Sequence, residues 1–220
     1  MTAVLNADTT GDNEVDGQWG PRATADEVSR AIAALKAGHT VVLQDDVGHG
    51  HGYLVHAAKF SNADLVAFMV RYSSGYLRVA IAEEDAVRMN LPLMVPAGAD
   101  PTVEPFTVTV DSSHLSGTGI SATDRALTIR QLASSSTQPA DFTRPGHVLP
   151  VRVADDESAN WAPYRAVLEL AGRAGVERAA AYAEIVADGD GLDLARGVEV
   201  SIIASRLGLP VVRSSRLAPQ

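Results

Sequence analysis

The chain contains no cysteine among its 220 residues. Disulfides, thiolate nucleophiles, iron–sulfur clusters and cysteine-based zinc sites are therefore excluded, and any metal must be held by His, Asp or Glu. Basic residues are the minority, 18 against 27 acidic, for a formal charge of −9. Nucleic acid or an anionic membrane as main partner would be repelled by such an average surface. No apolar run approaches the ~18–20 residues needed to span a bilayer. The N-terminus also lacks a basic start followed by an apolar stretch. These absences predict a soluble, cytoplasmic protein.

What is present is an apolar fraction of 46%, enough for one sizeable core. Residues 1–22 are polar and without periodicity and read as a mobile tail; residues 214–220 read the same way, leaving a single domain over 23–213. Within it, Thr24 with Glu27 has the form of a capping box, followed by Val28, Ile32 and Leu35 on one helical face. Thr40–Leu43 is a short β run. Ser61 is placed as the cap of a second helix carrying Leu65, Phe68, Met69 and Tyr72. Phe106–Asp111 alternates with period two, as a half-wet strand does. Ser121 opens a helix to about Ala133, and further strands fall over 76–82, 147–153, 180–186 and 209–213. Helices are also placed over 83–90, 164–174 and 198–207. Strands and helices interleave with long connections, which predicts a mixed α/β or α+β domain, a mixed sheet flanked by helices.

The densest chemistry lies in LQDDVGHGHGYLVHAA, residues 43–58, which holds three of the six histidines. On an extended segment His49 and His51 would share one side, with His56 facing elsewhere. Glycines at 48, 50 and 52 would let the backbone bend so that both rings reach one ion. The bland alternative is a solvated polar turn. A second cluster, Thr118, Ser121, Asp124 and Arg125, sits at a Gly-containing loop opening a helix, where backbone N–H groups suit an anion. Ser121 can equally be a plain helix cap, with Asp124 favourable to the dipole. Arg125 and Arg144 are candidates for anion pairing.

Several segments together resemble 3,4-dihydroxy-2-butanone 4-phosphate synthase: ALKAGHTVVLQDD (34–46), RYSSGYLRVAI (71–81), LPLMV (91–95), FTVTVD (106–111), TGISATDRALTIR (118–130), RPGHVLP (144–150) and LAGRAGVERAAAYAEIVADGDG (170–191). The resemblance implies a compact α+β fold, a stand-alone domain, and a homodimer with active sites shared across the interface. It also implies a divalent metal, normally magnesium, and conversion of ribulose 5-phosphate to a four-carbon ketone phosphate and formate. Ser74, in RYSSGYL, joins the substrate-binding candidates on this ground.

The departures are as informative as the matches. The family's acidic loop DDEDRENEGDL is replaced here by Gln44-Asp45-Asp46-Val47-Gly48-His49-Gly50-His51-Gly52-Tyr53-Leu54. His49 stands where the family has its metal-binding glutamate, His51 replaces a second glutamate and Tyr53 an aspartate. In the family's RxGHTEA, a metal-binding histidine and a phosphate-binding arginine correspond here to Pro163 and Asn160. His147 and Glu184 are retained. Imidazoles at 49, 51 and 147 would favour a transition metal (Zn, Fe, Mn, Co, Ni or Cu) over magnesium. The catalytic candidates are then His51, Glu184, Asp45 and Tyr53; for His147 the alternative is a hydrogen bond that orients its helix or loop. Three readings follow: an enzyme repurposed in specialised metabolism for a small carbonyl-bearing substrate, the parental reaction in altered form, or a non-catalytic binding paralogue.

Overall fold

Alternation along β1 (Val41–Gln44) and β2 (Gly52–Ala57) sends Val41, Leu43, Tyr53 and Val55 into one apolar core, and Val42 and Leu54 into another on the opposite face. That is what a strand buried on both faces must do, since successive side chains point opposite ways. The computed structural model describes residues 22–96, 104–155, 161–189 and 191–219.

The other elements are α1 (Arg22–Lys36), α2 (Ala63–Tyr72), β3 (Arg78–Ala82), α3 (Glu83–Arg88), β4 (Val110–Ser112), α4 (Ala122–Ala133), β5 (Phe142–Val153), α5 (Pro163–Arg173), β6 (Ala179–Glu184), α6 (Val198–Arg206) and β7 (Val211–Arg213). One 7-stranded sheet has the order β4-β5-β3-β6-β2-β1-β7. Pairings β1/β7 and β3/β5 are parallel and the rest antiparallel, so the sheet is mixed, as expected. Helices α2, α4 and α6 cover one face, through residues such as Met69, Ile129 and Ile203. Helices α1 and α5 cover the other, through Leu35, Val167 and Leu170. No helix among the described residues is long and apolar enough to cross a membrane.

Local signals place most elements, and the exceptions have physical causes. Helix α1 begins at Arg22, so Thr24 lies inside it and not at the expected cap position; Glu27 receives Arg213 at 3.2 Å. The cap of α2 is Asn62, whose side chain accepts from Leu65 N, because Ser61 is drawn inward to His56. The 106–111 run yields only β4 and single bridges, Phe106 to Val151 and Thr107 to Leu93. A register shift between Val110 and Asp111 breaks the period-two ladder. Here the backbones touch: a Cβ on Gly146 would lie 1.9 Å from the Val110 carbonyl carbon.

The chain after Arg213 is not a free tail. Ser214–Arg216 form a 3-10 turn, and Ser214 and Leu217 are fully buried. Most of the expected N-terminal tail, residues 1–21, lies outside the described residues.

Candidate active site at one end of the sheet

Antiparallel pairing brings the C-terminal ends of β1 and β6 beside the starts of β2 and β3: Gln44 pairs with Gly52, Tyr53 with Glu184, and Tyr182 with Arg78. Parallel pairing sets Leu149 opposite Arg78, so His147, two residues earlier on β5, comes to the same end. Most of the candidates therefore gather there, in three groups.

The first group is the β1–β2 loop. Asp45 is buried and works as its brace: Oδ1 accepts the Gly48 amide at 3.0 Å and Oδ2 the His49 amide at 3.0 Å. A Cβ on Gly48 would strike Asp45 Oδ2 at 2.5 Å, so this position needs glycine. Both Asp45 oxygens are thus engaged in holding the loop. The neighbouring Asp46 is held by Ser214 and Ser215; burial alone would raise its carboxyl, but these hydrogen bonds bring it below the usual value.

His49 belongs to a turn rather than to an extended segment, and Gly50 has φ +77°. The two rings nevertheless stack loosely, their centroids 5.8 Å apart and tilted by 32°. His51 is bridged to Arg196, and its Nε2 is buried without a hydrogen-bond partner. Burial first, then the charges of Arg196 and His49, lower its pKa and favour the neutral imidazole. His56 does face elsewhere: fully buried, it lies between Met69 Sδ at 3.0 Å and Ser61 Oγ at 3.1 Å, and burial pushes its pKa down to about 4.

The second group centres on Arg78, whose side chain is only 4% exposed. Its NH1 donates to both Glu104 oxygens at 3.0 and 3.2 Å, and its NH2 to Glu184. The guanidinium lies 4.4 Å from the Tyr182 ring centroid, 5.8 Å from Tyr53 and 5.9 Å from Tyr76. Burial opposes its charge, but Tyr182, Glu104 and Glu184 more than offset this and keep it protonated. Ser74 Oγ donates to Glu184 Oε2 at 3.3 Å, and Ser74 N to the Glu184 carbonyl at 2.7 Å. Burial, reinforced by Glu184, raises the Tyr53 phenol and leaves it a neutral donor. Sequence reasoning passed over Arg78, Glu104, Tyr76, Tyr182 and Arg196. One signal was legible: a lone arginine inside the apolar strand LRVAIA.

The third group is Asp111 and His147. Asp111 Oδ2 lies 2.7 Å from His147 Nδ1, and its Oδ1 accepts the His147 amide at 2.9 Å. Nδ1 is therefore fixed by a carboxylate and Nε2 is the nitrogen left for other work. Gly119 closes over the pair: a Cβ there would lie 2.1 Å from Asp111 Oδ2 and 2.7 Å from His147 Nδ1. Asp124 accepts the Gly119 amide at 3.2 Å, and Ser121 caps α4 by accepting Asp124 N at 3.0 Å. Thr118 is exposed on this loop. The Nε of Arg125 is buried without a partner. Arg144 is not free for an anion, because it donates to the carbonyls of Pro139, Phe142 and Met89.

The expected three-histidine metal site is not assembled: among the described residues no three His, Asp or Glu side chains converge as metal ligands. Magnesium, a hard ion seeking oxygen ligands, does not fit the donors at this end of the sheet either. Asp45, Asp46, Asp111, Glu104 and Glu184 are each engaged by protein donors, and Pro163, the first residue of α5, has no ligating atom. Asn160 lies outside the described residues.

The family described as 3,4-dihydroxy-2-butanone 4-phosphate synthase matches residues 29–219. A Mycobacteroides abscessus relative named Riboflavin biosynthesis protein RibBA is 41% identical over 189 residues, covering 85% of this chain and 45% of its own. The chain thus spans about half the length of the curated relatives it matches. A crystal structure of 3,4-dihydroxy-2-butanone 4-phosphate synthase in complex with two magnesium ions superposes with a TM-score of 0.81 at 37% identity, covering 86% of this chain and 94% of that one. A cation-free form gives 0.79 at 36%, with the same coverage. The magnesium in the first of these overturns the expectation of a transition metal: the ion held by that similar protein is a hard one that seeks oxygen ligands. Profile, identity and superposition agree, and the chain belongs to the 3,4-dihydroxy-2-butanone 4-phosphate synthase family.

Proposed function

We propose that the chain is a lyase that removes a proton next to a carbonyl in a small sugar-phosphate substrate. The reaction that its relatives' names favour is the conversion of ribulose 5-phosphate to the four-carbon ketone phosphate and formate. The observation that carries this reading is the Asp111–His147 pair, set at the same sheet end as Glu184, Tyr53 and the unpartnered nitrogen of His51.

The proposed parts follow from their surroundings. Asp111 holds His147 by Nδ1, so that Nε2 can take or return a proton. Neutral His51 accepts a second proton in the position left by the family's glutamate. Tyr53 donates a hydrogen bond to an oxygen that gains charge. Arg78 NH2 donates to one oxygen of Glu184, and Ser74 fixes the other. Thr118, Ser121, Asp124 and Arg125 form the wall on which the substrate's anionic group rests; the partnerless Arg125 Nε supports this. No step is routed through a metal.

The test is formate release from ribulose 5-phosphate by the purified chain, once with magnesium and once with EDTA. Formate above background in either supports the reading; none in both ends it. The engagement of Arg144 by carbonyls favours a second reading, a less highly charged carbonyl substrate in the same site, for which proton exchange at carbon in a set of ketoses is the assay. Two copies sharing the site belong to the same proposal: Val47, Leu192, Val198 and Ile202 leave apolar surface exposed near the loop and α6. A monomeric mass by light scattering would remove that part. A cytoplasmic location is proposed with it.

A further inference from the structure

We infer that this chain works without a divalent cation, and that the positive charge at the sheet end is the Arg78 guanidinium clamped between Glu104 and Glu184. The inference concerns the site of the proposed reaction but is tested by ion binding, independently of turnover.

Three observations lead to it. First, the carboxylates that could serve magnesium are all engaged. Glu104 gives both oxygens to Arg78, while Glu184 gives one to Arg78 and one to Ser74. Asp111 gives one oxygen to the His147 ring and one to its amide. Asp45 and Asp46 hold the loop and the C-terminal turn. Second, the groups turned to the site from the rewritten loop are imidazoles and a phenol, weak ligands for an ion that takes about six oxygens in near-octahedral geometry. Third, a guanidinium is permanently charged. Arg78 is buried at this end of the sheet, and Arg196 lies on the segment bridged to His51. A divalent ion placed among Glu104, Glu184 and Tyr53 would meet that charge at short range, where repulsion is screened least.

The arrangement keeps the electrostatics while changing the chemistry. Two glutamates that would be costly to bury alone are neutralised by one arginine. Tyr182, Tyr76 and Tyr53 present ring faces to its cation.

Manganese, which substitutes for magnesium and is visible by electron paramagnetic resonance, is the probe. The intact wild-type chain should leave the free Mn²⁺ signal undiminished, and its Tm should be the same in EDTA and in about 10 mM magnesium. A site with a Kd of about 0.1 mM would be at about 100-fold excess there and would raise Tm by roughly 5–10 °C. Such a rise, or stoichiometric loss of the free Mn²⁺ signal, overturns the inference. Arg78→Ala removes the fixed charge and frees both glutamates, so it should gain the Mn²⁺ binding that wild type lacks. A folded Arg78→Ala protein that binds no Mn²⁺ would overturn the assignment to Arg78; if the variant does not fold, the wild-type measurement decides. Formate made only with magnesium would support the proposed reaction and defeat this inference, whereas no formate and no Mn²⁺ binding would do the reverse.

Discussion

Ser214 Oγ donates to Asp45 Oδ1 at 3.3 Å across 169 residues of chain, joining the C-terminal turn to the brace of the β1–β2 loop. The same hydroxyl reaches Asp46 Oδ1 at 3.1 Å, and Ser215 N reaches it at 2.9 Å. The loop that carries His49 and His51 is thus held from inside by Asp45 and from outside by the end of the described chain.

Truncation after Arg213 should therefore damage both stability and loop order. Losing the fully buried Leu217 costs about 1.5–3 kcal/mol, and each lost hydrogen bond about 1 kcal/mol. Tm should fall by roughly 10–20 °C, and hydrogen exchange at the Gly48 and His49 amides should accelerate. Unchanged protection there would mean that Asp45 holds the turn unaided.

Stability should also depend on pH through His56. Its folded pKa, about 4, lies below the ordinary histidine value of 6.5, so between these values the unfolded chain binds more protons. The contribution is therefore complete above about pH 6.5 and lost as pH falls towards about 4, on the order of 3 kcal/mol. His51, also lowered, acts in the same direction, so the comparison is made within one variant. Chemical denaturation of wild type and His56→Leu from pH 4 to 7 checks this: the variant's curve should be flatter.

Orientation of His147 should matter as much as its presence. Asp111→Asn removes the charged partner of Nδ1, and turnover in the formate assay should drop about 10²–10⁴-fold. Gly119→Ala deletes no functional group, yet its Cβ would displace the Asp111–His147 pair from a backbone at φ +94°. It should lose activity to a similar extent. Full activity in Gly119→Ala would show that the pair's geometry is not used.

If His51 takes the proton as proposed, the acid limb of the pH–rate profile should report on it. With its pKa lowered by burial, then by Arg196 and His49, the limb should lie below the ordinary imidazole range. Arg196→Gln removes a nearby positive charge, raises the His51 pKa and should move the limb to higher pH. A limb that stays in place would assign the titration to another group.

Elements whose signals are short-range were legible in the sequence. Ser121 and Asp124 lie three residues apart, and the cap they form opens α4 where the pattern puts it. Alternation through Val41–Leu43 marks β1 without reference to any partner. The family motifs TGISATDR and RPGH likewise point to the scaffold from residue order alone. By contrast, a period-two run such as Phe106–Val110 became ladder only where its neighbour's register allowed it. Residue type alone showed that His49 and His51 had replaced acids, but not that they would fail to form a metal site with His147.

The amino-acid sequence by itself determined the family, the helix and strand periods, and the exchange of carboxylates for imidazoles in one loop, because caps, alternation and motifs act over a few residues. Tertiary structure alone decided that Ser214 meets Asp45, that Arg144 binds the Met89 carbonyl, and that Arg78 lies between Glu104 and Glu184. Those outcomes depend on groups 26 to 169 residues apart meeting inside a poorly screened interior, where each charge must find its partner.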